Sequence, residues 1–174
     1  MVLAPHALIG ASVACLAPLH PEFALLAGFM SHFVADALPH WHYAVGSISD
    51  DGNPLDKDMR IDRRQFPRDL AKISFDGLVG LGASLVLLVV PRPELLIPVV
   101  LGAGAGMLPD ALQFVYFKWR HEPLTSLQRF HVWIHAKSNL DHMGVVGASF
   151  QFGIALVIVL LAQVWVGEHA FGSV

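Results

Sequence analysis

Long apolar stretches, separated by short turns and two polar segments, constrain this chain more than any other feature. Each is about 18 to 24 residues long, close to the ~20 residues that a helix needs to cross the hydrocarbon core of a bilayer. They cover residues 2–19, 22–41, 70–90, 94–117 and 143–166. Only 14% of the residues are charged, against about 25% in soluble domains. We therefore predict an all-α, polytopic membrane protein with about five transmembrane helices in a single domain, residues 1–174.

The first four apolar stretches form two hairpins with similar sequences. At an offset of 70 residues, His6-Ala7-Leu8-Ile9-Gly10 matches Asp76-Gly77-Leu78-Val79-Gly80, and Ala37-Leu38-Pro39-His40 matches Met107-Leu108-Pro109-Asp110. This similarity predicts two parallel helical-hairpin repeats, 2–41 and 70–117, followed by a C-terminal helix, 143–166. Chance similarity between two apolar hairpins is the alternative.

Basic residues are concentrated at one end of the predicted bundle. Ten of the 11 Lys and Arg residues lie in or beside the polar loop 44–69 and the His-rich loop 118–142, and only Arg92 lies at the other end. Cytoplasmic loops are enriched in Lys and Arg, so this end is predicted to be cytoplasmic. Five spans then leave the N-terminus in the cytoplasm and the C-terminus outside. We expect membrane lipids as neighbours and no nucleic-acid partner, because no surface interleaves basic and aromatic residues.

Histidines and carboxylates converge on the same end. His32 and Asp36 are four residues apart, which on a helix places them on one face, and His131 and His135 repeat that spacing. Two imidazoles four residues apart on a helix are a common pair of metal ligands. The predicted metal ligands are His6, His32, Asp36, His131 and His135, and the predicted catalytic carboxylates are Asp76 and Asp110.

The cost of burying the three aspartates favours a bound metal. A carboxylate in a spanning helix costs about 2.5–3.5 kcal/mol, so three together cost up to roughly 10 kcal/mol. A structural Zn²⁺ contributes about 10–16 kcal/mol in return. No Lys or Arg lies inside a predicted span except Lys72, at the edge of the third. We expect one or two zinc ions; His40 and His42 are either further ligands or interfacial imidazoles.

Two resemblances point the same way. His32-Phe33-x-x-Asp36, with His42 ten residues after His32, resembles the His-[Tyr/Phe]-x-x-Asp…Pro-x-His segment of zinc-dependent phospholipase C and the S1/P1 nucleases. In those enzymes the matching His, Asp and second His are zinc ligands. The proline lies one residue earlier here, at Pro39, which leaves both His40 and His42 as matches for the second histidine.

The chain as a whole is similar to small bacterial inner-membrane proteins described as membrane-bound metal-dependent hydrolases. The similarity lies in His6, in Gly106-Met107-Leu108-Pro109-Asp110, and in the pair His131 and His135. That family's His-Arg-Gly-x-Thr-His-Ser segment is absent from this chain. The resemblance implies a multi-pass protein of the bacterial inner membrane, a bound metal and hydrolysis.

Three functions are compatible with these features. The first is a metal-dependent hydrolase acting on a phospholipid-like phosphoester at the cytoplasmic face. The second is a non-catalytic subunit of a larger membrane complex, with protein partners and histidines that could ligate a cofactor. The third is a metal-ion or proton carrier, which is disfavoured because the ionisable residues at the opposite end, such as Glu22 and Glu94, lie only in turns or tails and line no path through the helices.

Overall fold

The computed structural model describes residues 2–49, 52–137 and 140–169, and these residues form helices and no β-sheet. The helices are α1 (Leu3–Ala14), α2 (Pro21–Asp36), α3 (Gln65–Ser84), α4 (Leu96–Lys118), α5 (Leu124–Ile134) and α6 (Gly144–His169). A π-helical turn, Leu85–Val89, extends α3, and one 3₁₀ turn precedes each of α4 and α6. The prediction of an all-α protein is confirmed.

Three of the described helical segments are long and apolar enough to cross a membrane. They are Gln65–Val89, Pro93–Lys118 and Asp141–His169. The two helices of the first predicted hairpin are shorter, with 12 residues in α1 and 16 in α2. Membrane-spanning helices therefore fit the structure, and the total of five spans stays a prediction.

The outer faces of the long helices are apolar. Phe75 and Leu78 on α3 and Val145 and Leu161 on α6 are all exposed large hydrophobic side chains. Such a continuous apolar surface is unfavourable in water and matches the hydrocarbon of a bilayer.

The short helix α1 lies at the centre of the bundle. Ten of its 12 residues are buried, and it packs against α2, α3, α4 and α6. Its contact with α4 is close because glycines face each other there: a Cβ atom on Gly106 would lie 2.5 Å from the carbonyl oxygen of His6. Small residues allow membrane helices to approach in this way. This approach holds His6 beside the middle of α4.

The ends of α2 and α4 place the candidate site residues at one end of the bundle, which we name the site end. Pro21 begins α2, where a missing N–H costs nothing, and Asp36 lies in its last turn. Pro39 follows shortly after, so the chain leaves α2 in an extended conformation. Pro109 lies inside α4, and Asp110 follows it.

The two polar segments cover the site end. In the described parts of the first segment, 44–49 and 52–64, Ile48 pairs with Met59 in an isolated antiparallel bridge. Met59 packs against Tyr116 and Phe117 at the end of α4. The second polar segment, 118–142, contains α5, and it is tied to the end of α2 by a hydrogen bond of 2.8 Å from the backbone N–H of Ala136 to the carbonyl of Asp36.

Candidate metal centre

A first group of four side chains converges at the site end, and we name it the inner cluster. Its members are His32, Asp36, Asp110 and His131. Nε2 of His131 lies 2.8 Å from Oδ2 of Asp36 and 3.3 Å from Nε2 of His32. Nε2 of His32 lies 3.2 Å from Oδ2 of Asp36 and 3.7 Å from Oδ1 of Asp110. Three of the four residues are buried, and Asp110 is partly buried.

These separations suit a tetrahedral ion. With ligand bonds of about 2.0–2.1 Å, tetrahedral geometry places neighbouring donor atoms roughly 3.3 Å apart. The observed distances of 2.8 to 3.7 Å bracket that value. The inner cluster could therefore hold a metal ion after small side-chain adjustments.

The tautomer of His32 supports the same interpretation. Its Nδ1 lies 2.9 Å from the carbonyl oxygen of Gly106, which can only accept, so Nδ1 must donate. A neutral His32 then directs the lone pair of Nε2 toward the carboxylate of Asp36 and toward Nε2 of His131. A proton or a metal ion must lie between these groups to make the arrangement favourable. Orientation of a ligand histidine by a backbone carbonyl is usual in metal sites.

A second group, the outer cluster, consists of His40, His42 and His135. Each offers one donor atom, and the three atoms lie within 4.8 Å of one another. Nε2 of His40 and Nε2 of His42 are only 2.9 Å apart. Nδ1 of His40 donates to the carbonyl of Leu38 at 2.6 Å, and Nδ1 of His42 faces a carboxylate oxygen of Asp141 at 3.2 Å.

The outer cluster therefore presents facing lone pairs. With both Nδ1 atoms protonated, the neutral forms of His40 and His42 direct unprotonated Nε2 atoms at each other. Burial lowers the pKa of the His40 imidazole to about 3 and that of the His42 imidazole to about 4, so both are neutral at pH 7. Burial also lowers the pKa of His135. Neutral imidazoles are the form that ligates metals.

Asp36 connects the two clusters. Its Oδ2 belongs to the inner cluster, whereas its Oδ1 lies 3.6 Å from Nε2 of His40 in the outer cluster. Oδ1 also lies 3.2 Å from Nε2 of His6. One carboxylate thus faces two groups of imidazoles, and each of its oxygens faces a different group.

His6 is fully buried beside this carboxylate. Its ring stacks on that of His32 with centroids 3.9 Å apart. Nε2 of His6 faces Oδ1 of Asp36 at 3.2 Å, whereas its Nδ1 makes no hydrogen bond with any described residue. A buried polar atom without a hydrogen bond is costly, and metal ligation is one arrangement that satisfies it.

The predicted site residues do not all lie together. Five of them, namely His6, His32, Asp36, Asp110 and His131, meet at or beside the inner cluster. His135 lies in the outer cluster with His40 and His42, the two histidines whose role was left open.

The side chain of Asp76, on α3, lies apart from both clusters and contacts the first residues of α1. One carboxylate oxygen accepts hydrogen bonds from the backbone N–H of Leu3 at 2.6 Å and from the hydroxyl of Tyr43 at 3.2 Å, and the other lies 3.4 Å from the backbone nitrogen of Ala4. The first N–H groups of a helix lack partners within it, and a carboxylate there is stabilising. Asp76 therefore fixes the beginning of the helix that carries His6. Its predicted catalytic role stays a prediction.

Two cavities open onto the clusters. The inner cavity, about 170 Å³, is lined by Asp36, Asp110, His131 and His135 among others. The outer cavity, about 680 Å³, shares His131 and His135 with it and extends between residues 44–48, residues 54–57, the end of α4 and α5. The candidate metal positions are thus reachable from a space large enough for a small molecule.

Comparison with known proteins gives no further assignment: no protein-family model, curated protein or solved structure matches this chain.

Proposed function

We propose that this protein is a membrane-embedded, metal-dependent hydrolase with two zinc ions, one in each cluster. The observation that carries the proposal is the convergence of two groups of nitrogen and oxygen donors on the single carboxylate of Asp36. His32, Asp36 and His131 would hold the first ion, with Asp110 beside it, and His40, His42 and His135 would hold the second, with Asp36 shared between them. Zinc so held would supply a Lewis acid for a phosphoryl or acyl oxygen and lower the pKa of an attacking water.

Imidazole and carboxylate donors favour zinc over other divalent ions. The described donor set has no thiolate and more nitrogen than oxygen, which is unlike the oxygen cages of Mg²⁺ and Ca²⁺. The spacing of neighbouring donor atoms in the inner cluster matches tetrahedral zinc.

Asp110 is the residue that we assign to proton transfer. Its carboxylate lines the inner cavity and is 21% exposed, whereas Asp36 is almost fully buried. A carboxylate open to the cavity can accept a proton from a water that attacks the substrate there. The backbone carbonyl of Gly106 positions the neighbouring metal ligand His32, because it holds the imidazole in one tautomer.

The position of the site supports the proposed substrate class. Both clusters are at the site end of helices that are long enough to cross a membrane, and that end carries most of the lysine and arginine residues. Basic loops favour the cytoplasmic side of a bacterial inner membrane. A phospholipid-like phosphoester at that face combines an anionic group for the metal with an apolar part for the bilayer.

The experiment is a hydrolysis assay on the zinc-loaded protein in nanodiscs, with a panel of phospholipids and chromogenic phosphate and carboxylate esters. We expect hydrolysis of a phosphoester that a chelator abolishes and added zinc restores. The variant His131→Ala should lose activity, whereas His121→Ala, which changes an exposed histidine outside the clusters, should keep it. A fully metal-loaded protein that hydrolyses none of these esters would contradict the proposal.

A further inference from the structure

The outer cavity contains a buried polar group that the metal clusters do not explain. Gln128 lines this cavity and is only 3% exposed. Its Nε2 makes no hydrogen bond within the part of the chain that the structure describes. A buried donor without an acceptor is unfavourable, and an acceptor oxygen of a molecule in the cavity would satisfy it.

Gln128 is placed beside the candidate metal ligands by α5. It precedes His131 by three residues, and residues three apart on a helix share a face. Both residues line the outer cavity. An oxygen that accepts a hydrogen bond from Gln128 would therefore belong to a molecule that also reaches the clusters.

The charges around the cavity indicate an anionic molecule. Lys57 and Lys137 line it, together with one carboxylate, Asp141, which is hydrogen-bonded to the backbone of His42 at 2.7 Å. The remaining walls include apolar side chains such as Ile48 and Phe117. A volume of about 680 Å³ is within the range of small-molecule sites.

We propose that the outer cavity binds a phosphate group and that Gln128 positions it by donating a hydrogen bond from Nε2 to a phosphoryl oxygen. Lys137 attracts the anion, and the apolar walls accept the rest of the molecule. This inference rests on the proposed function for its link to hydrolysis. The shared chemistry is a phosphate anion, which either a lipid headgroup or a soluble phosphate supplies.

The test measures binding rather than turnover. Zinc-loaded protein in neutral nanodiscs is titrated with inorganic phosphate, and a second set of nanodiscs carries phosphatidic acid in place of the soluble ligand. We expect the variant Gln128→Leu to weaken phosphate binding about tenfold while the zinc content and melting temperature stay unchanged. An effect confined to phosphatidic acid identifies a lipid headgroup, and an effect confined to inorganic phosphate identifies a soluble ligand.

A matched control is available on α6. Gln151 is also buried, and its two side-chain polar atoms also make no hydrogen bond with described residues. Gln151→Leu should leave phosphate affinity unchanged, because Gln151 is not among the lining residues of the cavity. A second variant, Lys137→Gln, changes an exposed side chain and should weaken binding several-fold at low ionic strength and little at high ionic strength.

The outcomes separate this inference from the proposed function. Phosphate affinity that is equal in the wild type, Gln128→Leu and Lys137→Gln would overturn the inference, even if the protein hydrolyses phosphoesters. Binding that depends on Gln128, in a protein that hydrolyses no ester, would support the inference and contradict the hydrolase proposal.

Discussion

Replacing Asp36 with asparagine removes one negative charge from the point where both clusters meet and changes the side chain's shape very little. The carboxylate faces four imidazole Nε2 atoms at 3.6 Å or less, those of His6, His32, His40 and His131. An asparagine can offer only one oxygen to these groups. We therefore expect Asp36→Asn to weaken both metal positions.

The size of the effect follows from the number of donors. A structural zinc site supplies about 10–16 kcal/mol, so each of four donors accounts for roughly 3 kcal/mol. That energy corresponds to a loss of affinity on the order of 100-fold. The loss should affect both ions, because Oδ1 and Oδ2 face different clusters.

The assay is a competition between the purified protein and a zinc chelator of known affinity. Asp69→Asn is the matched control, because Asp69 is also a buried carboxylate but accepts its hydrogen bonds from the backbone of Ser47 and the amide of Gln65, away from the clusters. This control should lower stability and leave zinc affinity unchanged. Unchanged zinc affinity in Asp36→Asn would refute the argument that Asp36 is shared.

Two further predictions follow from the packing and from the outer cluster. A Cβ atom on Gly106 would lie 2.5 Å from the carbonyl oxygen of His6, so Gly106→Ala should destabilise the protein by about 1–3 kcal/mol in thermal unfolding. Gly104→Ala should be neutral or slightly stabilising, because nothing lies within 4 Å of its Cβ position, and equal effects of the two changes would contradict the packing. His42→Ala should reduce the zinc content from about two ions to about one, since the inner cluster keeps its donors, whereas the exposed His142→Ala should leave it unchanged. Loss of all zinc, or of none, in His42→Ala would argue against two separate positions.

The sequence predicts the helical class and the apolar segments well, because hydropathy reports burial directly. It does not distinguish burial in lipid from burial in protein. The stretch 2–19 has the composition of a span, yet α1 ends at Ala14 and is enclosed by other helices. The many small residues of α1 allow this close packing. A hydropathy profile does not show whether an apolar helix packs against protein or against lipid.

The inner cluster could be predicted in large part, because His32 and Asp36 are four residues apart on a regular helix. The grouping of His135 with His40 and His42, instead of with His131, could not be predicted. His135 follows α5 as its C-cap, and its N–H still donates to the carbonyl of His131 in the helical pattern. Its ring nevertheless packs against those of His40 and His42, with centroids 4.7 and 5.4 Å apart, and the four-residue spacing does not predict this long-range contact. The pairing of His40 with His42 could be predicted from local sequence. Pro39 favours an extended chain, and residues two apart in an extended chain lie on the same side.

Long-range contacts account for the rest of the site. The carbonyl of Gly106 orients His32 across 74 residues of sequence, and no local pattern predicts that pairing. Gln128 carries a local signal, because its position three residues before His131 on an amphipathic helix places it on the same face.

Metal analysis of the wild-type protein, purified in mild detergent without chelators, tests the account most directly. Two clusters that share Asp36 predict about two zinc ions per chain, with tight retention through purification. A content below roughly 0.3 metal ions per chain, in folded protein supplied with zinc, would contradict the central claim, because structural zinc sites bind tightly.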